Sequence, residues 1–362
     1  MRLLFTARDA GAALQNSALI ESFRCRHFEF EALILTQAPA AQIFEASGEK
    51  FIDIEESTDG IPELIDTWIR EFDPHFAMLG LSGTRLGVDE FARKSCLEQG
   101  IPCGVIQDYW GYLGQFAGAS LPDIFFVFDD YARSLTLRNA EVKVDCIVTG
   151  SPKHELFRHR MSGWSGSIIA DGSRKKTISF IAQPLSLPGV HANFMALLDT
   201  FRACLDEATL LVRPHPSNPA DAGVLGRDLA RSGLKSCEIV ASTSIEALMF
   251  QSDVVTTCFS TCGYDHNHMQ LHSVDFIGHL IYLNLGDDIM ATIRAAGCPD
   301  GIPPVARDLA HVCRSERQLE DVLRKALAGT LPSFQTEIAR RLSAHRGAAE
   351  KVLSVLMAFH SS

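Results

Sequence analysis

The stretch Phe76-Ala77-Met78-Leu79-Gly80-Leu81-Ser82-Gly83-Thr84-Arg85, then Val88 to Gln99, then Gly104-Val105-Ile106, decides the fold. It reads as an apolar run, a polar turn bearing glycines, a helix-like segment and a second apolar run. An apolar strand without alternation belongs in a sheet covered on both faces. Two such strands separated by one helix make a βαβ unit and a parallel sheet. Outward from this unit the pattern repeats. Apolar runs at Leu3 to Phe5, Ala32 to Leu35, Ile124 to Phe128 and Val144 to Val148 alternate with helix-like segments such as Ala13 to Phe23 and Pro62 to Glu71. From Arg160 to Lys176 the pattern lapses into glycine and serine, the composition of a domain junction. It then restarts with strands Thr177 to Ala182, Thr209 to Arg213, Glu238 to Val240, Val254 to Thr257 and Leu280 to Leu285. Helices lie at His191 to Cys204, Pro219 to Arg231 and Thr243 to Gln251, and residues 316–359 read as largely helical. The expectation is an α/β protein of two Rossmann-like, doubly wound domains, residues 1–160 and 177–330, with a helical C-terminal tail at 331–362.

Composition bounds the function. With 362 residues, two domains are expected at roughly 150 residues each. Thirty-three Lys+Arg against 44 Asp+Glu give a net charge of −11, which repels a phosphate backbone and argues against a nucleic-acid partner. No apolar run reaches the ~18 residues of a membrane span. The start, Met1 to Phe5, is too short for the apolar region of a secretory signal, being broken at once by Thr6-Ala7-Arg8-Asp9. The ten cysteines are scattered singly and show no paired CxxC, so they read as reduced thiols of a cytoplasmic protein. His268 and His272 would share one helical face, yet neither HExxH nor CxxC accompanies them, and no metal site is assigned.

In open parallel sheets ligands bind beyond the carboxyl ends of the strands, so the residues after each strand carry the functional reading. After the first strand, Asp9 and Gly11 open a helix; Asp9 reads either as an N-cap or as a base facing a ligand. Ser82 and Thr84 follow the third long run. After Ile106 come Asp108, Tyr109 and Trp110, which suit either a sugar hydroxyl with ring stacking or an Asx-turn under packed aromatics. Gly150 and Lys153 follow the last strand of the first half; the lysine has the reach of a donor phosphate, and the segment also reads as a plain turn. In the second half Gln183 precedes Pro184, and Arg213 precedes a histidine, His215, fixed between Pro214 and Pro216. A rigidly held imidazole beside an arginine suits a phosphate, against the plainer reading of a loop histidine. Ser260 and Thr261 then precede a glycine at a helix start, where hydroxyls and free amides bind phosphate or simply cap the helix.

Together these residues resemble glycosyltransferases of the GT-B fold, in which two Rossmann-like domains face each other across a cleft that holds the donor. The Gln183-Pro184, His215-Pro216 and Ser260-Thr261 pairs are similar to motifs of the bacterial sialyl-, polysialyl- and Kdo-transferase branch. The resemblance implies that His215 and the hydroxyl pair hold the donor phosphate. It likens Gly150-Ser151-Pro152-Lys153 to the glycine-x-x-lysine turn that closes the first domain. The acidic-acidic-glycine motif that supplies the base in part of that branch has no counterpart: Asp59-Gly60 lacks the first acid and Asp130 is followed by Tyr131. Asp9 and Asp108 are left as candidates by position, with His215 as the third catalytic candidate.

The implied activity is transfer of a sugar from a nucleotide-activated donor, a CMP-nonulosonate or a nucleotide-diphosphate sugar, to a hydroxyl of a glycan, lipid-linked or protein acceptor. The nucleotide sugar is a co-substrate and no cofactor is expected. The donor set is Gly150, Lys153, Gln183, Arg213, His215, Pro216, Ser260 and Thr261; the acceptor side is Gly11, Ser82, Thr84, Tyr109 and Trp110. Peripheral association with the inner face of the membrane fits such an acceptor. A hydrolysing sugar-nucleotide 2-epimerase and a non-catalytic nucleotide-sugar binding protein are the alternatives.

Overall fold

A computed structural model describes residues 1–55, 60–83, 85–114, 116, 120–140, 142–164, 175–204, 208–216, 218–301, 303–304, 308–342 and 346–361. Two compact units divide the chain: Met1–Leu156 together with His345–Ser362, and Phe157–Ala344.

The first unit is built on strands β1 (Arg2–Ala7), β2 (Glu31–Thr36), β3 (Ile52–Asp53), β4 (Phe76–Leu79), β5 (Cys103–Ile106), β6 (Ile124–Val127) and β7 (Asp145–Val148), joined by helices α1 (Ala10–Cys25), α2 (Ala40–Ala46), α3 (Ile61–Phe72), α4 (Val88–Gln99) and α5 (Asp130–Asn139). The strand order is β3-β2-β1-β4-β5-β6-β7, and every pairing is parallel. Helix α6 (Pro152–Trp164) follows. The second unit carries β8 (Thr177–Ile181), α7 (Val190–Cys204), β9 (Thr209–Arg213), α8 (Ala220–Ser232), β10 (Cys237–Ile239), α9 (Ile245–Gln251), β11 (Val254–Thr257), α10 (Cys262–His272), β12 (His279–Leu283), α11 (Asp287–Ala295) and β13 (His311–Cys313). Its order, β10-β9-β8-β11-β12-β13, is again wholly parallel. Both units therefore reverse direction between their first and fourth strands, the switch point of a doubly wound sheet.

Central strands β4, β5 and β6 are buried at every position, which is why their sequences run apolar without alternation; β8 is as fully buried but carries Thr177 and Ser179 among its apolar residues. The edge strands are short and partly exposed: β3 has two residues and β13 three. The expected helical tail is present, but it divides. Helices α12 (Glu316–Leu327) and α13 (Gln335–Leu342) lie in the second unit, with α13 packed on α10, whereas α14 (Ala348–Ser361) completes the first. Ala349, Val352 and Leu356 of α14 enter the same core as Phe5, Leu19, Phe23 and Phe76. Glu155 in α6 fixes the start of α14 by accepting the backbone amides of Ala348 and Ala349, two of the four amides that a helix N-terminus leaves without a partner.

Candidate functional site

In the first unit the switch point lies between the ends of β1 and β4. Asp9 occupies the N-cap position of α1 with extended backbone, yet its carboxylate bonds none of that helix's own amides. Its Oδ2 accepts instead the amide of Gly83, at 2.8 Å, on the turn after β4. The same turn is held by Arg8, 7% exposed, whose Nη2 donates to the carbonyls of Gly83, at 3.3 Å, and of Arg85. Gly11, in the first turn of α1, lies against Asp108 at the end of β5; a Cβ there would fall on the Asp108 carboxylate. The two candidate bases thus flank one helix start. Ser82 is fully buried, and Thr84 lies outside the described residues.

The aromatic pair after Asp108 separates. Trp110 is 2% exposed, with its indole Nε1 donating to Asp129 Oδ2 at 3.1 Å and its ring 5.0 Å from that of Phe128; it packs inside the unit. Tyr109 is half-buried, its ring 6.0 Å from Trp110 and edge-on to it. At the exit of β7, Gly150 takes a left-handed φ of 82°, where a side chain would be strained. Ser151 Oγ donates to Gln15 Oε1 of α1 at 2.7 Å, and Lys153 is buried in the first turn of α6.

Two acids at this switch point were not singled out in the sequence. Asp89, in the first turn of α4, is fully buried; Thr6 Oγ1 donates to it at 2.6 Å, as do the Gly80 amide at 3.1 Å and the Ser82 hydroxyl. Burial pushes its carboxyl above the usual range and the charge of Asp9 adds to this, while the bonds from Ser82 and Thr6 act against it. Glu90 accepts the Gly87 amide at 2.8 Å, and burial, with Asp89 beside it, pushes it up to about 7.

In the second unit the corresponding crevice lies beyond β8 and β11. Gln183 is spent on it: its Nε2 donates to Thr257 Oγ1 at 2.9 Å and its Oε1 accepts the Cys258 amide at 3.3 Å, so the side chain ties the end of β8 to that of β11. Arg213 Nη1 donates to the carbonyls of Val240 at 2.9 Å, Ala241 and Thr243 at 2.5 Å, pinning the loop between β10 and α9. Burial lowers its pKa. His215, half-buried, closes a short turn in which its carbonyl accepts the Asn218 amide at 3.3 Å, and Pro216 beside it is exposed. Ser260 and Thr261, both half-buried, lead into α10; Ser260 Oγ accepts the Cys262 amide at 3.2 Å and its carbonyl accepts the Tyr282 hydroxyl at 3.0 Å. Tyr282 fits because Gly263 has no Cβ to meet its ring. β9 and β11 flank β8 on its two sides. His215 and the Ser260-Thr261 pair therefore leave strand ends two spacings apart, ~10 Å, at one edge of one sheet.

Among the described residues no three His, Cys, Asp or Glu are grouped to hold a metal ion, and no helix is long and apolar enough to cross a membrane.

No family model matches the chain, and no curated protein does. Solved structures do. The UDP-GlcNAc 2-epimerase of Neisseria meningitidis bound to UDP-GlcNAc superposes with a TM-score of 0.65 at 12% identity, covering 99% of both chains. The Anabaena protein HepE, in complex with UDP and glucose, gives 0.64 at 10% identity over 99% of this chain and 100% of its own. A glycosyltransferase from Rickettsia africae gives 0.63 at 9%, covering 99% and 98%. At such identities the likeness shows the fold, and the chain shares with these proteins the architecture of two Rossmann-like α/β units that GT-B glycosyltransferases have.

Proposed function

We propose that the protein is a glycosyltransferase that moves a sugar from a nucleotide-activated donor to an acceptor hydroxyl in surface polysaccharide or glycoconjugate synthesis. The observation that carries this reading is the contrast between the switch points: carboxylates at one, and at the other an imidazole and two hydroxyls beside a helix start. The neighbours bound to UDP-GlcNAc and to UDP with glucose support a nucleotide sugar as ligand. In this reading His215, Ser260 and Thr261 meet the donor phosphate and stabilise charge on it as it departs. Gln183 and Arg213 act through the backbone they hold. Asp9 or Asp108 takes the acceptor proton. No metal ion takes part, and a chelator leaves the rate unchanged. The acceptor is a glycan, lipid or protein, met in the cytoplasm at the inner membrane face.

A thermal-shift series with CMP, CDP, UDP, GDP and UMP tests this. One nucleotide at a hundred times its Kd adds about 2.7 kcal/mol to the stability of the native state and raises Tm accordingly. A flat response to all five at millimolar concentration removes the reading. The placing of two carboxylates, Asp9 and Asp108, beside one helix start favours a second one, a hydrolysing 2-epimerase. That enzyme releases nucleotide and free sugar from UDP-GlcNAc with no acceptor added, which a transferase does slowly at most.

A further inference from the structure

Asp9 stands where an aspartate ordinarily caps its own helix, and it does not do so. At an N-cap the side-chain oxygen accepts the amide of the second or third helical residue, here Gly11 or Ala12, and this is the favoured local arrangement. The carboxylate bonds the Gly83 amide instead, across the seam between β1 and β4. Something must hold Gly83 at the right place for that contact to win.

The turn after β4 is held on its carbonyls by Arg8 and, at its start, by one buried carboxylate. Asp89 takes three donors from two strands and the turn: the Thr6 hydroxyl near the end of β1, the Gly80 amide just after β4, and the Ser82 hydroxyl. Its space is cut to shape, since a Cβ on Gly80 would stand 2.5 Å from Asp89 Oδ1. Ser82 is the residue directly before Gly83, so the bond from Ser82 to Asp89 sets where the next amide points. A fully buried carboxylate is costly unless its bonds are made, and an apolar residue would fill the same volume without that cost. What the carboxylate adds is direction.

We infer that Asp89 is a positioning residue: it holds the Ser82–Gly83 turn against the carboxylate of Asp9, draws that carboxylate off its own helix and fixes where it stands. This rests on the proposed function only where Asp9 serves as the base; the positioning itself concerns the protein alone. Amide hydrogen exchange on the full chain, comparing wild type with Asp89→Ala and Asp89→Asn, tests it.

In Asp89→Ala the Gly83 amide exchanges at least about 10-fold faster, and the amide of Gly11 or Ala12 slows as Asp9 returns to capping α1. Asp89→Asn keeps an acceptor for Thr6 and Gly80 and offers its NH2 to the Ser82 oxygen, so it restores Gly83 protection to within about threefold. With a donor that the wild type turns over, Asp89→Ala lowers kcat at least about 10-fold while KM for the donor stays within about twofold. Unchanged exchange at Gly83 in a folded Asp89→Ala, or an Asn variant no better than the Ala one, overturns the inference. Should Asp89→Ala not fold, Ser82→Ala, which deletes only the bond to the turn, is read by the same criteria. A wild type that binds none of the nucleotides refutes the proposed function and leaves the exchange result to decide the role of Asp89.

Discussion

The two crevices share a topology and differ in chemistry. Each lies where a doubly wound parallel sheet reverses, and each is stitched by a side chain that bridges the two middle strands. In the first unit the stitch is Asp89, an acid that joins Thr6, Gly80 and Ser82. In the second it is Gln183, a neutral amide that joins Thr257 and Cys258. The first crevice therefore collects acids, with Arg8 on the same turn, and groups able to take a proton. The second presents an imidazole and hydroxyls at a helix start, where an anion is favoured, with one acid, Asp265, buried in the first turn of that helix. One scaffold supports both because a strand end imposes position and leaves residue type open.

Four measurements break or sharpen this contrast. The largest effect is expected at the acids: replacing the true base, Asp9 or Asp108, with Asn lowers turnover by ~10²–10⁴-fold, and the other Asn variant loses far less. Equal, small losses in both would remove proton transfer from the first crevice. His215→Ala should lower kcat/KM by ~10²-fold with Tm unchanged; full activity would remove the imidazole from the second crevice. Gly80→Ala drives a methyl into the Asp89 carboxylate and should cost about 1–3 kcal/mol in urea unfolding. An Ala variant as stable as wild type would mean that Asp89 is loosely held.

The smallest effect concerns pH. Burial holds His266 at about 4, and His279 at about 4 with His311 adding to it, against 6.5 for a free imidazole. The unfolded chain binds protons that the native second unit refuses, so the stability they add is complete above about pH 6.5 and is lost on acidification towards 4. His266→Gln should flatten the fall of Tm between those values.

How much of this could be read beforehand depends on range. The interior strands were legible because burial on both faces forces an apolar run, as at Phe76 to Leu79 and Ile124 to Val127. Ile52–Asp53 and His311–Cys313 were not, since two or three half-exposed residues at a sheet edge carry no such signature. Asp9 was legible as a residue at a strand end, but its partner lies 74 positions away, and no local pattern chooses between capping and reaching across. Asp89 was hidden for a similar reason: an acid in a first helical turn reads as a complement to the helix dipole, and only folding brings Thr6 to it from 83 residues upstream. The Tyr109-Trp110 pair shows the same gap, as sequence gives aromatic character without telling which ring faces inward.

The return of α14 to the first unit has a consequence for synthesis. The unit whose strands are made before those of the other is missing Ala349, Val352 and Leu356 from its core until α14, which follows the second unit in sequence, has been made. The second unit, continuous in sequence, is complete before that. Domains generally fold in the order in which they emerge; here the half that is begun first is finished last, and its apolar floor beneath β1 and α1 waits for a helix encoded more than three hundred codons downstream of β1.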